Sequence, residues 1–481
     1  MKIDKKKRSL IFFNILVTCI ATSMLATSLT TALPPILSDF KISATMGQWL
    51  TSGYSLAMGI MMPATAFLIR RFKTKRLYLS AIACFMFGLV IDIFAPNFTI
   101  LMVGRIFQAA GNGILASMAQ VVLFSIYPKE EVGSVMGLYG LSIGAAPVIA
   151  PTIAGIIVDH MRWQMIFVIA LIIIAVSFIL AVRVFENVLD NVKQKFDIFS
   201  FILSAFAYSG IILGIGNIGN YKFLSTNIIL PLIIGILSMS IFVYRQLHMK
   251  MPFLELRILK NRDYMLSVIG SMLLYLVMMG SSIIMPLYVQ SIKGMSATIS
   301  GLVTLPGSLL MAIVSPFAGR IYDRIGMKKL FVAGALFMFI SNLGMVFVRQ
   351  DTSVIVASIL NSVRCVSIGC LMMTLVTWGI SGIEAENTAH GTALLTSLRT
   401  ISGSIGSAVF VAIMTVVSEN SLGSYGNNAY IHGLNITFAA MSCVTIILIC
   451  IAVFYVKEKK NKDSKGCIIE NNIDTEADAV L

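Results

Sequence analysis

The chain has 481 residues, of which 57% are hydrophobic and 12% charged, with a formal net charge of +14 and a mean hydropathy of +0.90. Soluble proteins carry about 25% charged residues, so a string of soluble domains, which the length alone would allow, is excluded. The composition predicts an all-α integral membrane protein with many spans.

The N-terminal stretch MKIDKKKRS runs straight into an apolar, hydroxyl-bearing segment with no A-x-A cleavage site, which predicts an uncleaved first span. Apolar runs of about 20 residues are long enough to cross a bilayer as a helix. Fourteen are expected here: 11–33, 47–69, 77–95, 99–126, 134–157, 163–184, 198–217, 226–245, 264–290, 299–321, 329–348, 352–378, 390–417 and 432–456. An even number places both ends of the chain on one side.

Lysine and arginine fix which side that is. Of the 36, 28 lie on the side of the N-terminus, five on the opposite side (Lys41, Arg162, Lys222, Lys293, Arg349), and three inside spans (Arg105, Arg364, Arg399). The bias predicts that both termini are cytoplasmic. It also accounts for the basic balance without nucleic acid, because the charges flank membrane helices and face lipid headgroups. Residues 246–262, which mix charge with Leu, Ile and Phe, are expected to form a short amphipathic helix at the interface. The polar tail from Lys457, basic and then acidic, is expected to be disordered. Six of the seven cysteines lie in apolar segments, with no metal-ligand spacing, and read as reduced packing residues. No phosphate-binding GxxxxGK[ST] loop occurs, so ATP hydrolysis is excluded.

Span five carries a stripe at helical spacing: Gly133, Gly137, Gly140, Gly144, Pro147, Pro151 and Ala154. Small residues let helix backbones approach closely in lipid, and the two prolines each release an upstream carbonyl, which predicts a bend. Such a helix suits a joint between two moving bodies; the plainer alternative is an ordinary tightly packed helix pair.

Two loops resemble each other at an offset of 253 residues: Ala66–Arg76 after span two and Gly319–Lys329 after span ten. The second, with Gly319, Asp323, Arg324, Gly326, Lys328 and Lys329, resembles the loop signature of the major facilitator superfamily. The first departs from it, with Ala66, Arg70 and Lys73 standing where glycine, aspartate and glycine are usual. Span four carries Arg105, Gln108, Gly111 and Gly113, similar to the family's R-x-x-Q-x-x-G pattern. Gly140, Gly144, Pro147, Pro151 and Gly155 resemble the exporter signature of span five, with Ala150 and Ala154 replacing usual glycines. Trp49–Tyr54 and Arg162–Phe167 fit the fourteen-span drug:proton antiporter branch, and within it the chain is most similar to lincomycin-resistance-type multidrug exporters. The resemblance implies the major facilitator fold, two six-helix bundles plus two extra central helices. It places an N-terminal bundle at 1–184, a linker with the two extra spans and the amphipathic segment at 185–262, a C-terminal bundle at 263–456 and the tail at 457–481. It also implies alternating access around a site near the membrane midplane.

Charges inside a bilayer cost from about 2.5 to over 10 kcal/mol and default to functional hypotheses. Asp92, near the outer end of span three, is the one acid placed clearly within a span, and with Arg105 it is the candidate for proton coupling. The alternative for Asp92 is a solvated residue at a helix end; Asp323, Glu384 and Glu386 are further acids at the cytoplasmic edge. Leu25 stands where the branch usually carries its span-one aspartate. Arg364 and Arg399 read as cavity residues; for these two and for Arg105 the plainer role is a brace bonded to backbone carbonyls.

For cargo, the hydroxyl-rich first span offers Thr27 and Thr31, and the family fold adds Tyr54, Gln108 and Asn112. This set, with 29 methionines for an adaptable apolar pocket, suits a small amphipathic drug-like molecule. Half of the hydroxyls are expected to bond their own helix. The expected function is drug:proton antiport by a monomer that uses the proton gradient and no bound cofactor. The rivals are a dedicated exporter of one endogenous metabolite, lipid or peptide, and a membrane sensor that no longer transports. An enzyme is disfavoured, since no nucleophile–base pair or metal set is present.

Overall fold

The computed structural model describes residues 4–42, 44–47, 49–189, 197–217, 224–295 and 297–456. The expected tail at 457–481 lies outside the described residues, and so does the side chain of Thr31. Lipid offers no hydrogen-bond partners, so a chain this apolar satisfies its backbone within helices. Among the described residues there are fourteen long helices and no strand. They are α1 (Lys5–Phe40), α2 (Trp49–Arg71), α3 (Thr74–Ile93), α4 (Phe98–Ile126), α5 (Lys129–His160), α6 (Met165–Val184), α7 (Ile198–Gly216), α8 (Thr226–His248), α9 (Arg262–Leu287), α10 (Ala297–Ile325), α11 (Met327–Val346), α12 (Val354–Ser381), α13 (Thr388–Tyr425) and α14 (Ala429–Cys450). Each covers one expected span. The protein is therefore a multi-pass membrane protein.

Several starts are set by short polar side chains that take a free amide of the first turn. Asn97 accepts from the Ile100 N–H at the start of α4, and Asn261 from the Tyr264 N–H at the start of α9. Helix α2 bends by 48° between Met62 and Ala64, where Pro63 cannot donate to the helical ladder. Helix α5 is a single run of 32 residues. The segment between α8 and α9 differs from expectation. It holds only a five-residue 3-10 turn, Leu256–Lys260. Phe253 and Leu254 beside it are buried, with Phe253 stacked on Phe67 of α2 at 6.3 Å. Phe253 and Leu254 thus pack on protein rather than laying a helix on the lipid surface.

Packing repeats with a shift of eight helices. In the first half α1 packs on α5 and α6, α2 on α4, and α3 on α4 and α6; in the second α9 packs on α13 and α14, α10 on α12, and α11 on α12 and α14. The halves meet along two seams related in the same way: α5 lies on α10 and α12, and α13 lies on α2 and α4. The extra pair α7 and α8 packs on itself, and α7 rests against α2 and α13. It thus covers one seam. Beside the other, an apolar groove of about 610 Å³ runs between α10 and α12, lined by residues such as Leu302, Pro306, Ile355 and Ile359.

The start of α1 and the end of α14 share one face of the bundle. Lys7 pairs with Glu186 past the end of α6, Arg8 with Glu131 on α5 at 3.2 Å, and Arg262 donates to the Tyr455 carbonyl at 3.1 Å.

Candidate functional site

Helices α3 and α4 approach closely because glycines line the contact. A Cβ on Gly88 would sit 2.5 Å from the Gly104 carbonyl oxygen, and one on Gly111 would sit 2.7 Å from that of Ala81. One turn beyond Gly88 comes Asp92, whose carboxylate lies against Gly104 with no room for a side chain there. Asp92 is fully buried (0% exposed), so the solvated helix-end alternative does not hold.

The structure brings five of the candidate residues into one chain of contacts. Gln108 Nε2 donates to Asp92 Oδ2 at 2.7 Å, and Gln108 Oε1 accepts from Arg105 Nη1 at 2.7 Å. Arg105 donates onward to the Leu50 carbonyl at 3.4 Å from Nε and Nη2, and its guanidinium lies 4.1 Å above the Tyr54 ring. Asn112 Nδ2 donates to the Tyr54 hydroxyl at 2.8 Å. Asp92 and Arg105 therefore communicate through the Gln108 amide rather than as a direct ion pair. Asp92 Oδ1 is buried with no hydrogen-bond partner. A carboxyl with one oxygen paired and the other unpaired, screened from its cation by an amide, is an arrangement that accommodates a proton.

The remaining candidates lie elsewhere. Thr27 bonds the carbonyls of Ser23 and Met24 on its own helix, as Thr22 and Ser28 bond those of Cys19 and Met24. Thr18 turns into the first half, bonding Ser177 at 2.7 Å and accepting from Tyr78 at 3.1 Å. Arg364 donates to Asn361 on its own helix at 2.5 Å and lies 5.7 Å from the Phe438 ring, inside the second half. Arg399 lies 4.8 Å above the Tyr275 ring of α9.

The glycine stripe of α5 faces the other half. Gly137 packs on the Ser315 carbonyl and Gly144 on the Met311 methyl, where a Cβ would come within 2.6 Å of each; Gly140 packs on Met373 and Gly133 on Asp323. The side chains of Pro147 and Pro151 lie outside the described residues. Asp323 accepts from the Ser134 N–H at 3.1 Å and its hydroxyl at 3.2 Å, in the first turns of α5, where the helix end favours an anion. At the symmetric position Arg70 Nη1 bonds His390 Nε2 at 2.9 Å on α13. Gly326 has φ +77, the left-handed backbone between α10 and α11 that suits glycine; Arg324 beside it is exposed and Gly155 half-buried. These contacts between halves lie towards the face that carries the termini.

The sequence did not single out Gly104, which shapes the Asp92 slot, nor Gln120 and Tyr139, which lie near Arg399. The run Gly104, Gln108, Gly111 at steps of four and three was the available signal for the first.

A family model described as Major Facilitator Superfamily matches residues 11–407. The chain is 35% identical over 421 residues to the uncharacterized MFS-type transporter YcnB of Bacillus subtilis, covering 88% of this chain and 89% of that one. It is 32% identical over 389 residues to the lincomycin resistance protein LmrB of Listeria innocua, covering 81% and 83%. Among solved structures, the proton:xylose symporter XylE superposes with a TM-score of 0.65 at 13% identity, covering 95% of this chain and 97% of that one. By the family match over most of its length and by its relatives, this chain belongs to the Major Facilitator Superfamily, whose members are membrane transporters and not enzymes.

Proposed function

We propose that this protein exports small amphipathic drug-like molecules across the bacterial cytoplasmic membrane in exchange for protons, as a monomer, with both termini in the cytoplasm. The observation that carries the coupling is the buried Asp92–Gln108–Arg105 relay. Asp92 is the carboxyl that takes up and releases the proton. When it is charged, its Oδ2 holds the Gln108 amide, which holds Arg105. When it is neutral, that hold weakens, and Arg105 is freed to shift on the Tyr54 ring and the Leu50 carbonyl. Asn112 extends the chain through the Tyr54 hydroxyl. Similarity to a lincomycin resistance protein supports drug-like cargo, and the positive bias of the loops supports the orientation.

Alternating access rests on the two seams. Gly319, Asp323 and the α5 stripe close one, and Arg70 with His390 closes the other, both towards the face of the termini. In the opposite state these contacts part.

The test is accumulation of a panel of small amphipathic antibiotics, acidic as well as neutral and basic, in everted membrane vesicles after a pH jump. Uptake that follows the imposed gradient and collapses with a protonophore supports the reading. Uptake indifferent to the gradient removes the coupling claim, and no uptake across an antibiotic panel removes the drug.

A further inference from the structure

Where α4, α5 and α13 meet, buried polar groups collect without partners. Arg399 on α13 is 5% exposed, yet its Nε and Nη1 have no hydrogen-bond partner. One and two turns before it on the same face, the hydroxyls of Thr396 and Thr392 are also buried and unpartnered. On α4, which packs against α13 from the other half, the Ser117 hydroxyl and both polar atoms of the fully buried Gln120 are unpartnered. Gln120 lies next to the Tyr139 hydroxyl of α5, and Arg399 is close enough for its charge to act on that hydroxyl. Tyr139 itself donates to the Ala116 carbonyl at 3.2 Å and accepts from the Cys19 thiol at 4.0 Å.

The charge here is uncompensated. The acid of the first-half relay is engaged by Gln108, and the ion pairs found among the described residues do not include Arg399. Among the described residues it lies over the face of Tyr275, a cation–π interaction that leaves Nε and Nη1 of the guanidinium rim free. A desolvated guanidinium flanked by an amide and hydroxyls, with no carboxylate, selects an anion. The groups come from both halves, so one ligand that touches them all links the halves.

We propose that Arg399, Gln120 and Thr396 form a subsite for the acidic group of the transported molecule, so that the cargo is an amphipathic organic anion. This rests on the export reading above and narrows its substrate class. Expelling an anion for each proton admitted moves two positive charges inward, so transport draws on membrane potential as well as on the pH gradient.

The test measures equilibrium binding without any gradient, so its result is independent of whether export is proton-driven. Purified protein in nanodiscs is titrated with dansyl-undecanoic acid, with its methyl ester, and with a matched dansyl alkyl-trimethylammonium, each in sodium gluconate and in sodium chloride. The expected result is binding of the acid at least tenfold tighter than of the ester or the cation, in both salts. Arg399→Gln should remove that preference and leave ester binding unchanged, the latter showing that the variant is folded; Arg399→Lys should restore part of it. Gln120→Leu should weaken the acid alone. Equal binding of acid and ester, no acid binding, loss of the preference in chloride, or a preference that survives Arg399→Gln would overturn the assignment. So would loss of both acid and ester binding in both Arg399 variants.

Discussion

Gly319 on α10 lies against the Gly133 carbonyl on α5 so closely that a Cβ on Gly319 would have no room. This backbone contact joins the two halves, and Asp323, one turn on, clasps it by accepting from the Ser134 N–H and hydroxyl.

Gly319→Ala should therefore push α5 from α10 and disfavour the closed seam. Overpacking costs about 1–3 kcal/mol, and each 1.4 kcal/mol shifts an equilibrium about tenfold. Because the proposed cycle breaks this contact in the opposite state, the population should move more than the overall stability. Labelling of a cysteine placed near Asp323 should rise several-fold while the melting temperature in detergent moves by a few degrees.

Asp323→Asn removes the charge but keeps the shape at the start of α5. Hydrogen bonds to a charged group contribute about 1.5–3 kcal/mol, so the closed seam should weaken to a similar degree as with Gly319→Ala. The check is transport rate: both variants should slow turnover, and the double variant should add less than the sum, since they act on one contact.

Asp92→Asn should abolish gradient-driven accumulation while leaving exchange of labelled for unlabelled substrate across the membrane. Loss of both, in a protein that still purifies as a single species, would move the proton site elsewhere. Gly104→Ala drives a Cβ into the Asp92 carboxylate and should impair coupling without replacing a titratable group.

Acid sensitivity should begin at the extra helix pair. Partial burial pushes the Asp197 carboxyl up, but two hydrogen bonds from Ser200 and the Arg245 guanidinium outweigh this and hold it below the ordinary carboxylate range. A folded value below the unfolded one, about 3.9, gives stability that is present above that pH and lost as pH falls through the folded value. Amide exchange of α7 and α8 should rise below about pH 4, and Asp197→Asn should already be destabilised at neutral pH and lose that acid dependence.

The spans were readable because lipid forces apolar runs into helices, and the tight packing of α5 was readable in its glycines because close approach needs small residues. Asp92 was readable only as an outlier. Whether it met water or protein depended on Gly88 and Gly104, on two different helices, and nothing local to Asp92 carries that. Arg105 and Gln108 were legible from a motif, but the amide standing between the two charges was not. Arg70 was legible as a departure from its family pattern, while its partner His390 lies 320 residues away. The interfacial helix expected at 246–262 failed because composition does not say whether Phe253 meets lipid or α2.

The two seams are twins by the internal repeat, yet only one is shielded by α7 and α8. In the proposed alternating access, the shielded side would slide against protein, whereas the α5–α10 side would bare fresh surface to acyl chains next to the groove at Ile355 and Ile359. The surrounding bilayer therefore weighs on this machine from a single flank, and a change in lipid tail length or order should bias its resting state through that flank alone.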